Sequence, residues 1–230
     1  DLRFNIYPRF TQDNQSLQNF IRVNDLLRTK EWIHLAALSG PGGMKLYANG
    51  VLVGEHTNAA SFADIKVSQT NILGRGFVRN PTDQDFHGQI DELRVWNQRR
   101  TEEQIRENMF KPLTGAEPGL AGLWNFDNVE NGVVKDSASG AHHGQLMADA
   151  KAIEAQLPAS LEPAAIENVL QLDGTNSFVE LPVGAFTNLA LATVEGWVNW
   201  EAFRNMSRFF DFAVGGQNFD VQNRFLTANL

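Results

Sequence analysis

Cysteine is absent from the 230 residues, so a disulfide framework and a thiolate metal site are both excluded, and cysteine usage leaves the redox compartment open. No apolar run reaches the roughly 20 residues that a spanning helix requires. The first residues, "DLRFNIYPRF", lack the charged-then-apolar layout of a signal peptide and read as a start in mid-strand. Positive charge is scarce: 19 Lys and Arg stand against 27 Asp and Glu, for a net charge of -8 and a pI near 5.1. A field of that sign opposes phosphate backbones and anionic lipid, which argues against nucleic acid as a partner. The Gly-x-Ser-x-Gly nucleophile elbow is also missing.

A hydrophobic share of 43% with 10% aromatics is enough for a sizeable core. Short runs rich in Val, Ile, Phe and Trp alternate with Gly, Asn, Asp and Pro, a spacing that favours an antiparallel sandwich. "LRFNIY" places Leu2, Phe4 and Ile6 on one face. "WIHLAAL" divides into Trp32, His34 and Ala36 against Ile33, Leu35 and Ala37. "MKLYANGVLVGE" reads as strand, turn and strand, with Asn49-Gly50 supplying the positive φ of a type I′ turn. A long strand over Phe86 to Asn97 leads into the convincing helix "TEEQIRENMF", where Thr101 and Gln104 form a capping box and Ile105 and Met109 share the buried face. Glu102 and Glu103 complement that helix's dipole rather than act as catalysts. The helix is expected to close one end of the sandwich. "KPLTGAEP" is a connector, and "MADAKAIEAQLPASLEPAAIEN" is expected to be a surface excursion with one helical turn. Strands then resume as "VLQLDG", "SFVELP", "ATVEGWVNW", "RFFDFAV" and "NRFLTANL".

Several motifs together resemble the laminin-G-like, concanavalin A-like jelly rolls. They are "GLWNFD…KDSASGAHHG", "LQLDGTNSFVELP", "TVEGWV", "EWIHLAAL", "LYANGVLVG" and "FHGQIDELRVWNQRRTEEQI". The resemblance implies an all-β, two-sheet antiparallel jelly-roll sandwich with one short helix. Its motifs stand in reversed succession, the second half of the module first. The expected organisation is one sandwich over residues 1–230 in permuted order: 1–112 for the second-half strands and helix, 113–167 for connector, first strand and loop, and 168–230 for the first-half strands. A half-sandwich alone would expose many large side chains, each worth about 1.5–3 kcal/mol when buried, so the halves are predicted to cover one another. A cut from tandem repeats and a circular permutant both fit this order.

The resemblance further implies a non-catalytic recognition or adhesion module of a larger extracellular bacterial protein, binding carbohydrate or a protein surface through rim loops. Neighbouring repeats would be its partners in the parent chain. A structural spacer is the alternative. A laminarinase-type glycoside hydrolase requires carboxylates at alternate strand positions, about 5–5.5 Å apart for a retaining mechanism. Glu195 and Glu201 are six apart, and Asp211 stands alone. Calcium takes carboxylate and carbonyl oxygens at a bend. In the jelly rolls that this chain resembles, an acidic residue on the last long strand often serves such an ion, which points to Asp91, with Asp173 beside an oxygen-rich turn. The plainer reading of Asp91 and Glu92 is a bulge satisfied by neighbouring amides. In "GRGFVRNPTDQDF", Arg75, Arg79, Asn80, Asp83 and Asp85 gather near the expected rim; Arg79, Asn80, Asp83 and Asp85 are candidates for ligand contact, and the plainer reading is a solvated loop broken at Pro81. Trp200 and Arg204 join them because sugars stack on aromatic faces and guanidinium groups donate paired hydrogen bonds. His142 and His143, being adjacent, point opposite ways and suit a turn better than a metal.

Overall fold

Period-2 alternation decides which side chains leave water, and it sorts the strands into two sheets. The computed structural model describes residues 1–7, 19–64, 70–77, 82–156, 166–186, 189–214 and 217–224. In chain order the strands are β1 (Leu2–Tyr7), β2 (Asn19–Val23), β3 (Trp32–Ser39), β4 (Met44–Ala48), β5 (Val51–His56), β6 (Thr70–Leu73) and β7 (His87–Trp96). Helix α1 (Glu102–Asn108) follows, then β8 (Leu120–Trp124), β9 (Val129–Glu130), β10 (Val133–Val134), β11 (Gly144–Met147) and β12 (Lys151–Gln156). The last five are β13 (Ile166–Asp173), β14 (Phe178–Leu181), β15 (Ala192–Ala202), β16 (Ser207–Val214) and β17 (Gln217–Asn223). One antiparallel sheet runs β2-β1-β17-β16-β6-β14-β11-β10-β9, and the other runs β12-β13-β7-β15-β3-β4-β5, with β8 also on β7. This is an all-β sandwich with a single α-helix among the described residues.

Leu2, Phe4 and Ile6 face inward as their alternation requires, and so do Ile33, Leu35 and Ala37. They share one core with Leu93, Val95, Leu170, Val194, Val198, Phe210, Phe212 and Val221. Aromatic rings fill its centre, with Phe62 stacked on Phe219 at 4.2 Å and Phe186 against Phe212 at 4.1 Å. Strands from before and after the connector interleave in both sheets: β1 lies between β2 and β17, β6 between β16 and β14, and β7 between β13 and β15. Backbone bonds between Asp1 and Arg224 extend the β1–β17 ladder, at 2.9 Å and 3.1 Å.

Three local expectations change. Helix α1 does not close an end of the sandwich. It lies on the outer face of the second sheet, where Ile105 clusters with Ala36, Leu38 and Tyr47, and where Trp197 Nε1 donates to Met109 O at 2.8 Å. Residues Lys151–Gln156, part of the expected excursion, form the edge strand β12 instead, because pairing with β13 overrides weak helix propensity. "GQNFDVQN" contains β17, the partner of β1. Of "NRFLTANL", only Asn223 and Arg224 fall within the described residues.

Strand β7 carries an irregularity that matters below. Its whole length pairs with β15 on one edge, so β13 and β8 must share the other. β13 takes the start of that edge, up to Ile90, and β8 takes it from Leu93 onward. Asp91 and Glu92 fall in the gap. The ladder to β15 shifts register at the same place, between Glu195 and Trp197, and Glu92 adopts φ 50°.

Candidate functional site

One end of the sandwich gathers the loop before β7, the turn between β13 and β14, and the turn between β15 and β16. Arg75 donates from Nη2 and Nε to Asp85 Oδ2 at 3.1 and 3.3 Å, and its guanidinium lies 4.3 Å from the Phe178 ring centroid. Arg208 reaches Asp83 Oδ2 at 3.3 Å and Asp211 Oδ2 at 3.2 Å, while the Phe77 amide donates to that same Asp211 oxygen at 2.9 Å. Burial acts to lower the Arg208 pKa, but the carboxylates of Asp220, Asp211 and Asp83 outweigh it and hold the guanidinium charged. Gln84 and Asn205 tie the two loops together by a reciprocal pair of bonds, 2.9 and 3.0 Å, and Asn205 Nδ2 donates to Thr82 O.

Arg204 donates to Gly174 O at 2.6 Å and so joins the Asp173 turn to this rim. Asp173 accepts from Ser177 Oγ at 2.6 Å and from the Thr175 amide at 2.9 Å. Slight burial acts to raise its pKa, but those hydrogen bonds prevail and hold the carboxyl well below the usual range. The structure therefore brings Asp83, Asp85 and Arg204 together, with Arg75 and the Asp173 turn. Arg79 and Asn80 lie outside the described residues. Trp200 is not available as a sugar platform: alternation on β15 turns it inward, fully buried, 5.2 Å from the Phe86 ring. Arg208 and Asp211 are additions that the sequence reading missed. Their signal was partial: Asp211, between the inward Phe210 and Phe212, turns away from the core, but only the register shift between Arg208 and Phe210 brings Arg208, three residues back, to the same side.

The β7 gap is a second polar centre. Asp91 is 1% exposed, and neither carboxylate oxygen has a hydrogen bond within ordinary geometry. Burial, followed by repulsion from Glu92, pushes its pKa well above the carboxylate range, with Glu167 and Asp127 adding to the effect. Asn125, which follows Trp124 opposite Leu93, also has a buried Oδ1 without a partner. The bulge is present and the Glu92 amide favours the Asp91 carboxylate, but it is outweighed by burial and the neighbouring acids and leaves the group short of hydrogen bonds. Glu92 is bound instead by Arg94 at 2.5 Å. Asp173 cannot serve the same centre as Asp91. It pairs with His87, four residues back along β7, or about 13 Å at the usual strand rise. Among the described residues no group of three His, Asp or Glu side chains could hold a metal alone, so main-chain and amide oxygens would have to complete any shell at Asp91.

Between the second sheet and α1 lies a buried charged layer. Arg94 donates to Asn108 O and Lys111 O at 2.8 Å each, Trp96 Nε1 donates to Glu195 Oε1 at 2.9 Å, and His34 Nε2 stands 4.0 Å from Glu195 Oε2. Burial, then Arg94, pushes the His34 pKa down to about 3, and burial raises that of Glu195 despite Arg94. These groups fasten the helix and its following turn to the sheet. His142 and His143 both gather on Asp136, which accepts the amides of Leu123, Ala138 and His142 and donates its own amide to His143 Nδ1. They belong to a folded turn.

Residues 3–106 match the family model of the concanavalin A-like lectin/glucanases superfamily, a laminin-G type. No curated protein and no solved structure matches the chain. The matched stretch runs from β1 into α1 and contains the "EWIHLAAL", "LYANG" and "IDELRVWN" motifs in one succession. The two-sheet architecture of the described residues agrees with that family.

Proposed function

We propose, from a chain whose residues 3–106 match the concanavalin A-like lectin/glucanase model and whose described residues build a two-sheet sandwich, that this is a non-catalytic recognition or adhesion module. It belongs to a larger extracellular bacterial protein and binds carbohydrate or a protein surface through its rim. The family suggests a carbohydrate- or protein-binding module, and no helix of the described residues is long and apolar enough to cross a membrane. The observation that carries the reading is the convergence of three loops on one braced set, Arg75 with Asp85, Arg208 with Asp83, and Arg204 with the Asp173 turn. Side chains held by one another lose little freedom on binding, which is the usual requirement for a recognition surface. Asp83, Asp85 and Asp211 pair with arginines and Asp173 with amide and hydroxyl donors, an arrangement unlike a catalytic carboxylate pair. A glycan array and a pull-down with Asp83→Asn and Arg204→Ala test it. Retention by the parent chain that falls at least about tenfold in the variants supports the rim. Retention untouched by both variants removes it.

Calcium is the cofactor that the buried Asp91 centre fits. The carboxylate of Asp91, the Asn125 amide oxygen and main-chain carbonyls beside the bulge would hold the ion, which would supply the positive partner that Asp91, unlike Glu92, lacks. Hard oxygen donors without thiol or imidazole suit calcium rather than zinc. At a hundredfold excess over its Kd, calcium adds about 2.7 kcal/mol of stability. The melting temperature should therefore rise with calcium and fall with chelator in the parent chain and in Asp173→Asn, and should not respond in Asp91→Asn.

A further inference from the structure

Asn-Gly occurs twice in the chain, at Asn49-Gly50 and at Asn131-Gly132. Each pair supplies the two loop residues of a hairpin, β4–β5 for the first and β9–β10 for the second. All four residues have positive φ, 48° and 73° in the first turn and 53° and 78° in the second, as a type I′ turn requires. The local chemistry is therefore the same at both positions. Only the surroundings differ.

The first turn is locked. Asn49 Oδ1 accepts the His34 amide at 2.9 Å, and the Asn49 amide donates to His34 O at 2.8 Å. Gly50 is buried, so close to α1 that a Cβ on it would lie 2.5 Å from Arg106 Cγ. Its strands pair at five positions, and β4 is also paired with β3 on its other side. The second turn has little of this. Asn131 is exposed, and among the described residues no hydrogen bond holds its carboxamide. β9 and β10 pair at two positions, and β9 is the edge of the first sheet. Bonds from the Leu146 amide to Gly132 O at 2.8 Å and from the Lys135 amide to Asn128 O at 3.2 Å extend these short ladders. The neighbouring Glu130 carboxylate is paired with Lys135 Nζ at 3.0 Å, so its charge does not stand unopposed beside the loop.

We infer that Asn131 is a site of spontaneous deamidation driven by the backbone, and that the fold protects Asn49 from the same reaction. The Gly132 amide nitrogen loses its proton to base and bonds to Asn131 Cγ. The bond from Cγ to Nδ2 breaks, and that nitrogen takes up a proton and leaves as ammonia. One water then opens the five-membered imide at either carbonyl, giving aspartate or isoaspartate. Glycine permits the approach because no Cβ shields its nitrogen. The closed ring fixes the Asn ψ far from the left-handed value of a type I′ turn, so the rate follows how often each turn opens. Opening costs least where few ladder bonds are lost, and that is β9–β10. Both products add a negative charge beside Glu130, and isoaspartate also adds a methylene to the main chain of an edge hairpin. The inference is independent of the recognition reading above.

Tandem mass spectrometry of peptides from the full chain tests it, after incubation at pH 9 both in native buffer and unfolded in guanidinium chloride. In the native chain Asn131 should convert at least about tenfold faster than Asn49, a ratio equal to about 1.4 kcal/mol of opening free energy. In guanidinium chloride the two rates should become comparable. Aspartate tolerates the positive φ, so Asn131→Asp should fold, and on ion exchange it should lack the early acidic species that the parent chain accumulates. Native conversion of Asn49 as fast as that of Asn131, an unfolded-state ratio equal to the native one, or early acidic species persisting in Asn131→Asp would each overturn the inference.

Discussion

Several buried polar side chains line the second sheet's outer layer, among them Arg94, Thr193 and Glu195, and His34 shows what such burial demands. Its ring lies between sheet and helix at 1% exposure, with both nitrogens unpaired by hydrogen bonds and Arg94 nearby. Unfolded, it takes up a proton near 6.5; folded, it resists until about 3. Between those values the unfolded state binds the extra proton, so the stability contributed above 6.5 is lost as pH falls towards 3. At pH 4 the loss amounts to about 3 kcal/mol. Urea midpoints measured from pH 7 to pH 4 should fall steeply in the parent chain and less in His34→Leu. A parallel decline in both would assign acid sensitivity elsewhere. Asp91 is another residue whose burial protein partners leave unsatisfied, and its substitution separates a metal requirement from simple packing.

Among the elements, α1 and the turn after it depend on a few fasteners. Thr101 Oγ1 accepts from the Gln104 amide at 3.1 Å while Gln104 Oε1 accepts from the Thr101 amide at 2.9 Å. Glu102 and Arg106 add an i,i+4 pair. Thr101→Ala should cost about 1 kcal/mol, which lowers the melting temperature by about 2–4 °C in a chain of this size. The β4–β5 hairpin was equally legible, since Asn49 and Gly50 sit at φ 48° and 73°, and Asn49 Oδ1 also accepts the His34 amide. A Cβ on Gly50 would come within 2.5 Å of Arg106 Cγ, so the turn also sets how closely α1 approaches. The edge strand β12 was not legible. "KAIEAQ" has no strong β formers beyond Ile153, and only the available edge of β13 makes it a strand.

At the scale of the molecule, the interleaving of strands predicts cooperative behaviour. No cut through the connector leaves either sheet intact, because β6 and β7 each lie between strands from beyond it and β1 pairs with β17. Calorimetry should show one transition with equal calorimetric and van't Hoff enthalpies. Phe210→Ala, in the shared aromatic core, should cost about 3–5 kcal/mol and lower that single transition without splitting it. Two separable peaks would mean that the halves hold independent cores. The same interleaving explains why the rim could be read only in part. Asp83, Asp85 and Arg204 announce themselves in loops, whereas Arg208 and Asp211 sit within an apolar run whose partners lie more than a hundred residues away.

Alternation, turn residues and the capping box are local, and each follows from backbone geometry within a few residues; so the sequence alone determined β1, β3, β7 and β13 to β16, the β4–β5 hairpin, the helix and the sandwich class. Which face α1 covers, how β13 and β8 divide one edge of β7, and the resulting isolation of Asp91 were decided only by the tertiary structure. Those features arise where distant strands compete for the same hydrogen-bonding edge, and the outcome depends on burial summed over both sheets rather than on any single stretch of chain.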